Sequence, residues 1–186
     1  MIFLWATSGK WGSKLIQWGR SSDCSHFAVC FDKLTDHHDV GCQLVGESRI
    51  NSGVVLDWFW RFKQRNQIVH ALEYLPPGTD NELYCAFSKK MGGRRYDKKA
   101  VLWLAFDSLL RKLRIRNPYS ENKWGSREAV YCQEILTAFT DVFARDGLKL
   151  PISDVEMLDP HAAYELLGKT THFRKISLDT RGETHG

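Results

Sequence analysis

The 186-residue sequence predicts an α+β fold, a mainly antiparallel sheet packed with helices, and three observations carry that reading. The first half repeats its apolar residues at the two-residue period of strands, and the second half repeats them at the helical period. The third is size: 43% hydrophobic residues, seven Trp among them, fill one core and leave little for a second. A single domain over residues 1–178 is expected, with a frayed tail at 179–186.

The chain opens on "MIFLWATSGKW", whose apolar run is too short for a secretion-signal core and has no basic segment before it. In "WGSKLIQWGR", Trp11, Leu15 and Trp18 then fall at helical spacing, with Gly19 as the stop. "SHFAVCFD" alternates, with Phe27, Val29 and Phe31 on one face of a strand, His26, Ala28 and Cys30 on the other, and His26 at its beginning. "DKLTDHHDVG" reads as a hairpin connection and "CQLVGES" as the returning strand. Val45 and Glu47 share a face there, so antiparallel pairing brings Glu47 near His26. "VVLDWFWRFKQR" passes from strand into a short helix, and "QIVHALEY" is a third strand of the same sheet.

From Thr79 the period changes. "TDNE" reads as a capping box with Glu82 at the third helical position, and the helix runs to a stop at Gly92 and Gly93. A longer helix, Lys98 to Leu113, carries Val101, Leu104, Phe106, Leu109 and Leu113 as its core stripe and ends in basic residues, with Asn117 and Pro118 beyond. After the polar "YSENKWGSREAVY", the residues Cys132, Ile135, Leu136, Phe139 and Phe143 form one helical stripe that ends near Gly147. "DPHAAYELL" starts a last helix with Asp159 as cap and Pro160 at the first position, and "HFRKISL" is a last strand.

A net charge of +4 is too mild to indicate nucleic acid. The five cysteines are odd in number, scattered and never in a C-x-x-C pair, which argues against a disulfide framework or structural zinc and for a reducing, cytoplasmic setting. The longest apolar run, "AVLWLAF", cannot span a bilayer. Neither a metal nor another cofactor is expected.

A cysteine attacks as its thiolate, and a helix N-terminus favours that form through unpaired N–H groups and partial positive charge. Cys132 stands at such a start, where its backbone N–H is also placed to stabilise an oxyanion. His26 supplies a general base and acid, and Glu47 a carboxylate to orient it. Tyr131 and Tyr96 are side-chain helpers for the oxyanion. Taken alone these residues leave the matter open, because free cysteine is among the most buried residue types and a single histidine is more often structural.

The order of the motifs "SHFAV", "LVGES" and "YCQEIL" resembles that of the circularly permuted papain-like hydrolases, the YiiX-like relatives of NlpC cell-wall peptidases and of lecithin:retinol acyltransferase. "RRYD" before a helix and "DPHAAYELL" after the cysteine helix are similar to further features of that family, so the resemblance covers most of residues 14–168. It implies a permuted papain-like, NlpC-type fold. It also implies a cysteine peptidase or amidase that cleaves peptide-type amides, such as those of cell-wall peptides, or esters through an acyl-enzyme. Acyltransferase relatives use a second histidine, which makes His38 the alternative to Glu47; "TDHHD" is turn-like, and Glu47 is preferred. The chain departs from the family pattern at Gln133, where relatives carry a small hydroxyl residue, and at Phe27-Ala28.

Two other functions use the same features. A lipid-acting acyltransferase or thioesterase would keep the triad and lay "AVLWLAFDSLLRKLRIR" on an anionic membrane surface, although a buried core helix is the plainer reading of that segment. A non-catalytic binding or host-interaction protein would use the basic clusters at 89–99 and 111–116, which otherwise read as solvated helix ends. Cys24, at a strand entry, is read as incidental, and His37, His38 and Asp39 as a solvated hairpin rather than a metal cluster.

Overall fold

A computed structural model describes residues 1–10, 13–14, 17–18, 21–31, 43–76, 80–115, 129–150 and 160–178, with the side chains of 104, 105, 108 and 111 also left aside. The expected hairpin with His37, His38 and Asp39, the caps Thr79 and Asp159, the stop at Asn117 and Pro118, and the tail all lie outside the described residues. So does most of the first predicted helix, of which 13–14 and 17–18 are helical.

The structure is α+β, built on one six-stranded antiparallel sheet in the order β4-β3-β2-β1-β5-β8. Its strands are β1 (Ile2–Thr7), β2 (His26–Cys30), β3 (Leu44–Arg49), β4 (Gly53–Trp58), β5 (Gln67–Tyr74) and β8 (Phe173–Ile176). The N-terminal apolar run, not foreseen as a strand, forms β1 and lies between β2 and β5. Apolar residues bury both of its faces, so it reads as a continuous run without alternation. A second, two-stranded parallel sheet pairs β6 (Arg95–Tyr96) with β7 (Ala129–Val130).

The two faces of β2 divide as the alternation requires. Phe27, Val29 and Phe31 join the larger core with Phe3, Trp5, Phe139 and Phe143, while Ala28 and Cys30 pack with Val45 and Phe62 in the smaller one. The larger core is closed by α2 (Asp80–Met91), a 3-10 helix at Cys132–Phe139, α4 (Thr140–Arg145) and α5 (Pro160–Gly168), whereas α1 (Phe59–Arg65) covers the smaller one. Phe3 makes an edge contact with Phe139 at 5.6 Å between ring centroids, which seats the Cys132 segment on the sheet. Gly46 lets α2 approach β3: a Cβ there would stand 2.5 Å from Phe87 Cζ.

Two expectations need correction. The Cys132 stripe is buried as foreseen, but its first eight residues form a 3-10 helix and become α-helical only from Thr140. Among the described side chains of α3 (Lys98–Lys112) the buried ones are Ala100, Trp103 and Asp107; Val101 is half-buried against the larger core, the Leu104 side chain lies outside the described ones, and Phe106 and Leu109, and Leu113 just beyond, are exposed. At 3.6 residues per turn, positions 100, 103 and 107 lie within about 60° of one another. A count of apolar residues passed over that face because one of its members is an aspartate.

Candidate active site

His26 is the first residue of β2 and pairs with Ala6 of β1, whereas the β2–β3 ladder spans Ala28, Val29 and Cys30. Its imidazole lies at the end of the strand, 18% exposed, with the Phe62 ring at a centroid distance of 6.1 Å. Glu47, opposite Ala28 on β3, turns its carboxylate to the same face and is 3% exposed. His26 Nε2 lies 2.9 Å from Glu47 Oε2, as the sequence pattern anticipated.

The other oxygen, Oε1, accepts hydrogen bonds from Arg49 Nε at 2.8 Å and Arg65 Nη2 at 2.8 Å. Both guanidinium groups also reach Asp57 on β4, Arg65 at 3.0 Å. The result is a half-buried network of two carboxylates and two arginines behind the histidine, none of it foreseen except Glu47. Arg49 could have been found, since two residues after Glu47 it shares the same strand face. Arg65 and Asp57 arrive from α1 and β4 through tertiary packing, which leaves no local trace.

Cys132 is the first residue of its 3-10 helix and is 6% exposed. The helix start is fixed by a reciprocal exchange: the Tyr131 N–H donates to Glu134 Oε2 at 2.9 Å, and the Glu134 N–H to the Tyr131 carbonyl at 3.1 Å. Ser48, next to Glu47, donates from its hydroxyl to the Val130 carbonyl at 2.7 Å, tying the carboxylate's strand to the segment that delivers the cysteine. Asp97 holds the start of α3 by accepting from the Ala100 N–H at 2.8 Å.

These elements bring the Cys132 sulfur within hydrogen-bonding reach of the His26 imidazole. Burial pulls the His26 pKa down, yet the hydrogen bonds to Cys132 and then Glu47 outweigh it and push the value up to about 10. Burial likewise raises Glu47, and the hydrogen bond from His26, followed by that from Arg49, holds it at about 2. Tyr96 is pushed above its ordinary value first by burial and then by the charges of Cys132 and Asp97. Tyr131 is buried in the larger core, and His38 lies outside the described residues.

Gln133, beside the cysteine, is fully buried, and among the described residues neither atom of its amide has a hydrogen-bond partner. A cleft of about 590 Å³ opens near the same end of the sheet, lined in part by Thr7, Lys14, Lys63, Arg65 and Gln67. Its lining includes Arg65 from the network but neither His26 nor Cys132, so it adjoins the charged network and not the reactive pair. Donors suited to a metal gather elsewhere, where atoms of Asp23, Cys24 and His161 lie within 4.8 Å of one another.

No family model matches the chain, and no curated protein matches it significantly. Among the described residues no helix is long and apolar enough to cross a membrane.

Proposed function

We propose that the chain is a cysteine hydrolase of the permuted papain-like class, in which Cys132 attacks the carbonyl carbon of an amide or ester. The observation that carries this reading is the placement of His26 between the Cys132 sulfur and the Glu47 carboxylate. An imidazolium beside the sulfur is the pairing that lets a cysteine react as thiolate. As the C–N or C–O bond breaks, His26 gives its proton to the leaving amine or alcohol, and it then accepts one from the water that cleaves the acyl-enzyme. Glu47 stabilises the imidazolium and fixes its ring, and the two arginines keep that carboxylate ionised and in place. The backbone N–H of Cys132 faces the oxyanion, with the Tyr96 hydroxyl as helper.

The chain order His26, Glu47, Cys132, the antiparallel sheet and the thiol-bearing helix packed on it suit a permuted NlpC-type fold. Together with the motif resemblance they favour peptide-type amides, including cell-wall peptides, as substrates. Among the described residues Cys85 and Cys132 are free thiols, which suits a reducing compartment such as the cytoplasm. The test is labelling with an electrophilic acyl or amide probe. Cys132 should be modified in wild type and at least about a hundredfold more slowly in His26→Ala, and equal labelling of the two would sink the triad.

One observation favours acyl transfer over hydrolysis. Leu102, Phe106, Leu109, Leu113 and Ile115 are exposed on or beyond α3, near Lys98, Lys99, Lys112 and Arg114, a composition suited to an anionic lipid surface. Anionic vesicles should then divert the acyl group from water to a lipid amine or alcohol; unchanged hydrolysis in their presence would remove this reading.

A further inference from the structure

The turn that leads into β2 gathers a second set of reactive side chains, separate from the proposed triad. His70 Nε2, from β5, lies 2.7 Å from Asp23 Oδ2, and His161 Nδ1, from the first turn of α5, lies 3.1 Å from Asp23 Oδ1. The buried sulfur of Cys24 completes a trio in which one donor atom each from Asp23, Cys24 and His161 lies within 4.8 Å of the others. We propose that Asp23, Cys24 and His161 bind a zinc-type divalent cation, with His70 orienting the Asp23 carboxylate from outside the coordination sphere.

The chemistry of the donors selects the ion. A thiolate, an imidazole and a carboxylate together suit zinc, whereas magnesium and calcium prefer oxygen alone. Tetrahedral zinc, with bonds of about 2.0 to 2.3 Å, separates its ligand atoms by roughly 3.3 to 3.7 Å. The Asp23–His161 separation of 3.1 Å is close to that edge, and the spread of the trio requires a contraction of about 1 Å. On binding, the ion replaces the His161–Asp23 hydrogen bond, while Oδ2 keeps its contact with His70. The His70 ring is fixed for that task by stacking on Tyr164, at 4.1 Å between centroids and 9° between planes.

Access is provided by the exposed side: the Asp23 and His161 side chains are 48% and 41% exposed, leaving room for an ion to enter and for water as fourth ligand. The thiol proton, and any on the imidazole, leave as the ion binds, so affinity rises with pH. A bound ion would fasten α5 and the entry of β2 to each other, two residues ahead of His26, which makes its role structural. Without an ion the same residues form a plain clamp of one carboxylate between two histidines, and that alternative predicts no metal affinity.

Cobalt titration of the full chain distinguishes the two. Cys132→Ala serves as background, so that the proposed nucleophile contributes no competing thiolate, and the outcome does not depend on whether the triad is catalytic. The expected result is one cobalt ion per chain, with a near-ultraviolet thiolate-to-cobalt band that zinc displaces, and a raised thermal midpoint with either ion. Adding Cys24→Ser should abolish the band. Asp23→Asn and His161→Ala, at exposed positions that spare the core, should weaken binding at least about tenfold, and His70→Ala should weaken it by about tenfold while the band persists. No saturable binding, a band that survives Cys24→Ser, or an affinity unchanged in both Asp23→Asn and His161→Ala would overturn the proposal.

Discussion

Replacing Glu47 by Gln removes one negative charge from a buried position and keeps the side chain's shape. In the wild-type chain burial opposes ionisation of that carboxyl, yet the hydrogen bonds from His26 and Arg49 bring its pKa from the ordinary 4.5 to about 2. At roughly 1.4 kcal/mol for each tenfold change in the proton equilibrium, the ionised group contributes on the order of 3 kcal/mol to folding. Because the folded value lies below the unfolded one, this stability is present above pH 4.5 and is lost as the pH falls through 2. In the variant Arg49 and Arg65 retain Asp57 as a partner, which softens the loss. Urea unfolding at neutral pH should therefore show Glu47→Gln less stable by about 2 to 3 kcal/mol. The acid-side slope of wild type between pH 4.5 and 2 should flatten in the variant. A difference under about 0.5 kcal/mol at neutral pH, or an unchanged acid slope, would refute the view that the surrounding donors hold an ionised Glu47.

Cys132→Ala removes the largest of the contributions that raise His26, so the imidazole resonance followed by NMR should titrate well below about 10; an unmoved titration would mean that the sulfur does not touch the ring. Since the folded His26 value exceeds the unfolded 6.5, the stability it provides is complete below pH 6.5 and declines toward pH 10, and that alkaline decline should shrink in the same variant. Gly46→Ala sets a methyl group 2.5 Å from Phe87 Cζ and should cost about 1 to 3 kcal/mol in urea unfolding, with part of the loss recovered by Phe87→Leu. Ser48→Ala strips a buried donor from the Val130 carbonyl and should cost about 1 to 2 kcal/mol. It should also slow Cys132 alkylation, and wild-type stability together with wild-type alkylation would dismiss Ser48 as a tie between β3 and the cysteine segment.

How far the sequence exposes this arrangement depends on what each residue packs against. β2 and β3 can be read because each presents two different environments to alternate residues, and the Glu47–His26 contact follows from that alternation plus antiparallel pairing. β1 has no such contrast: Ile2 to Ala6 are buried on both faces in mid-sheet, so their periodicity vanishes. α3 misleads for the opposite reason, since its buried face includes Asp107 and its exposed face carries Phe106 and Leu109. At the site, Cys132, His26 and Glu47 are legible as types of chemistry in a recognisable order. Arg65, Asp57, and the convergence of His70 and His161 on Asp23 are created by contacts across 8 to 138 residues of chain, for which a local pattern has no signal.

The most direct test is the rate at which iodoacetamide alkylates Cys132 across the pH range, in wild type and in His26→Ala. With an imidazolium held beside the sulfur, wild type should stay reactive well below the pH of about 8.5 at which an ordinary thiol becomes half ionised. His26→Ala should instead show the single late rise of an unassisted thiol. Superimposable profiles for the two proteins would contradict the pairing of Cys132 with His26.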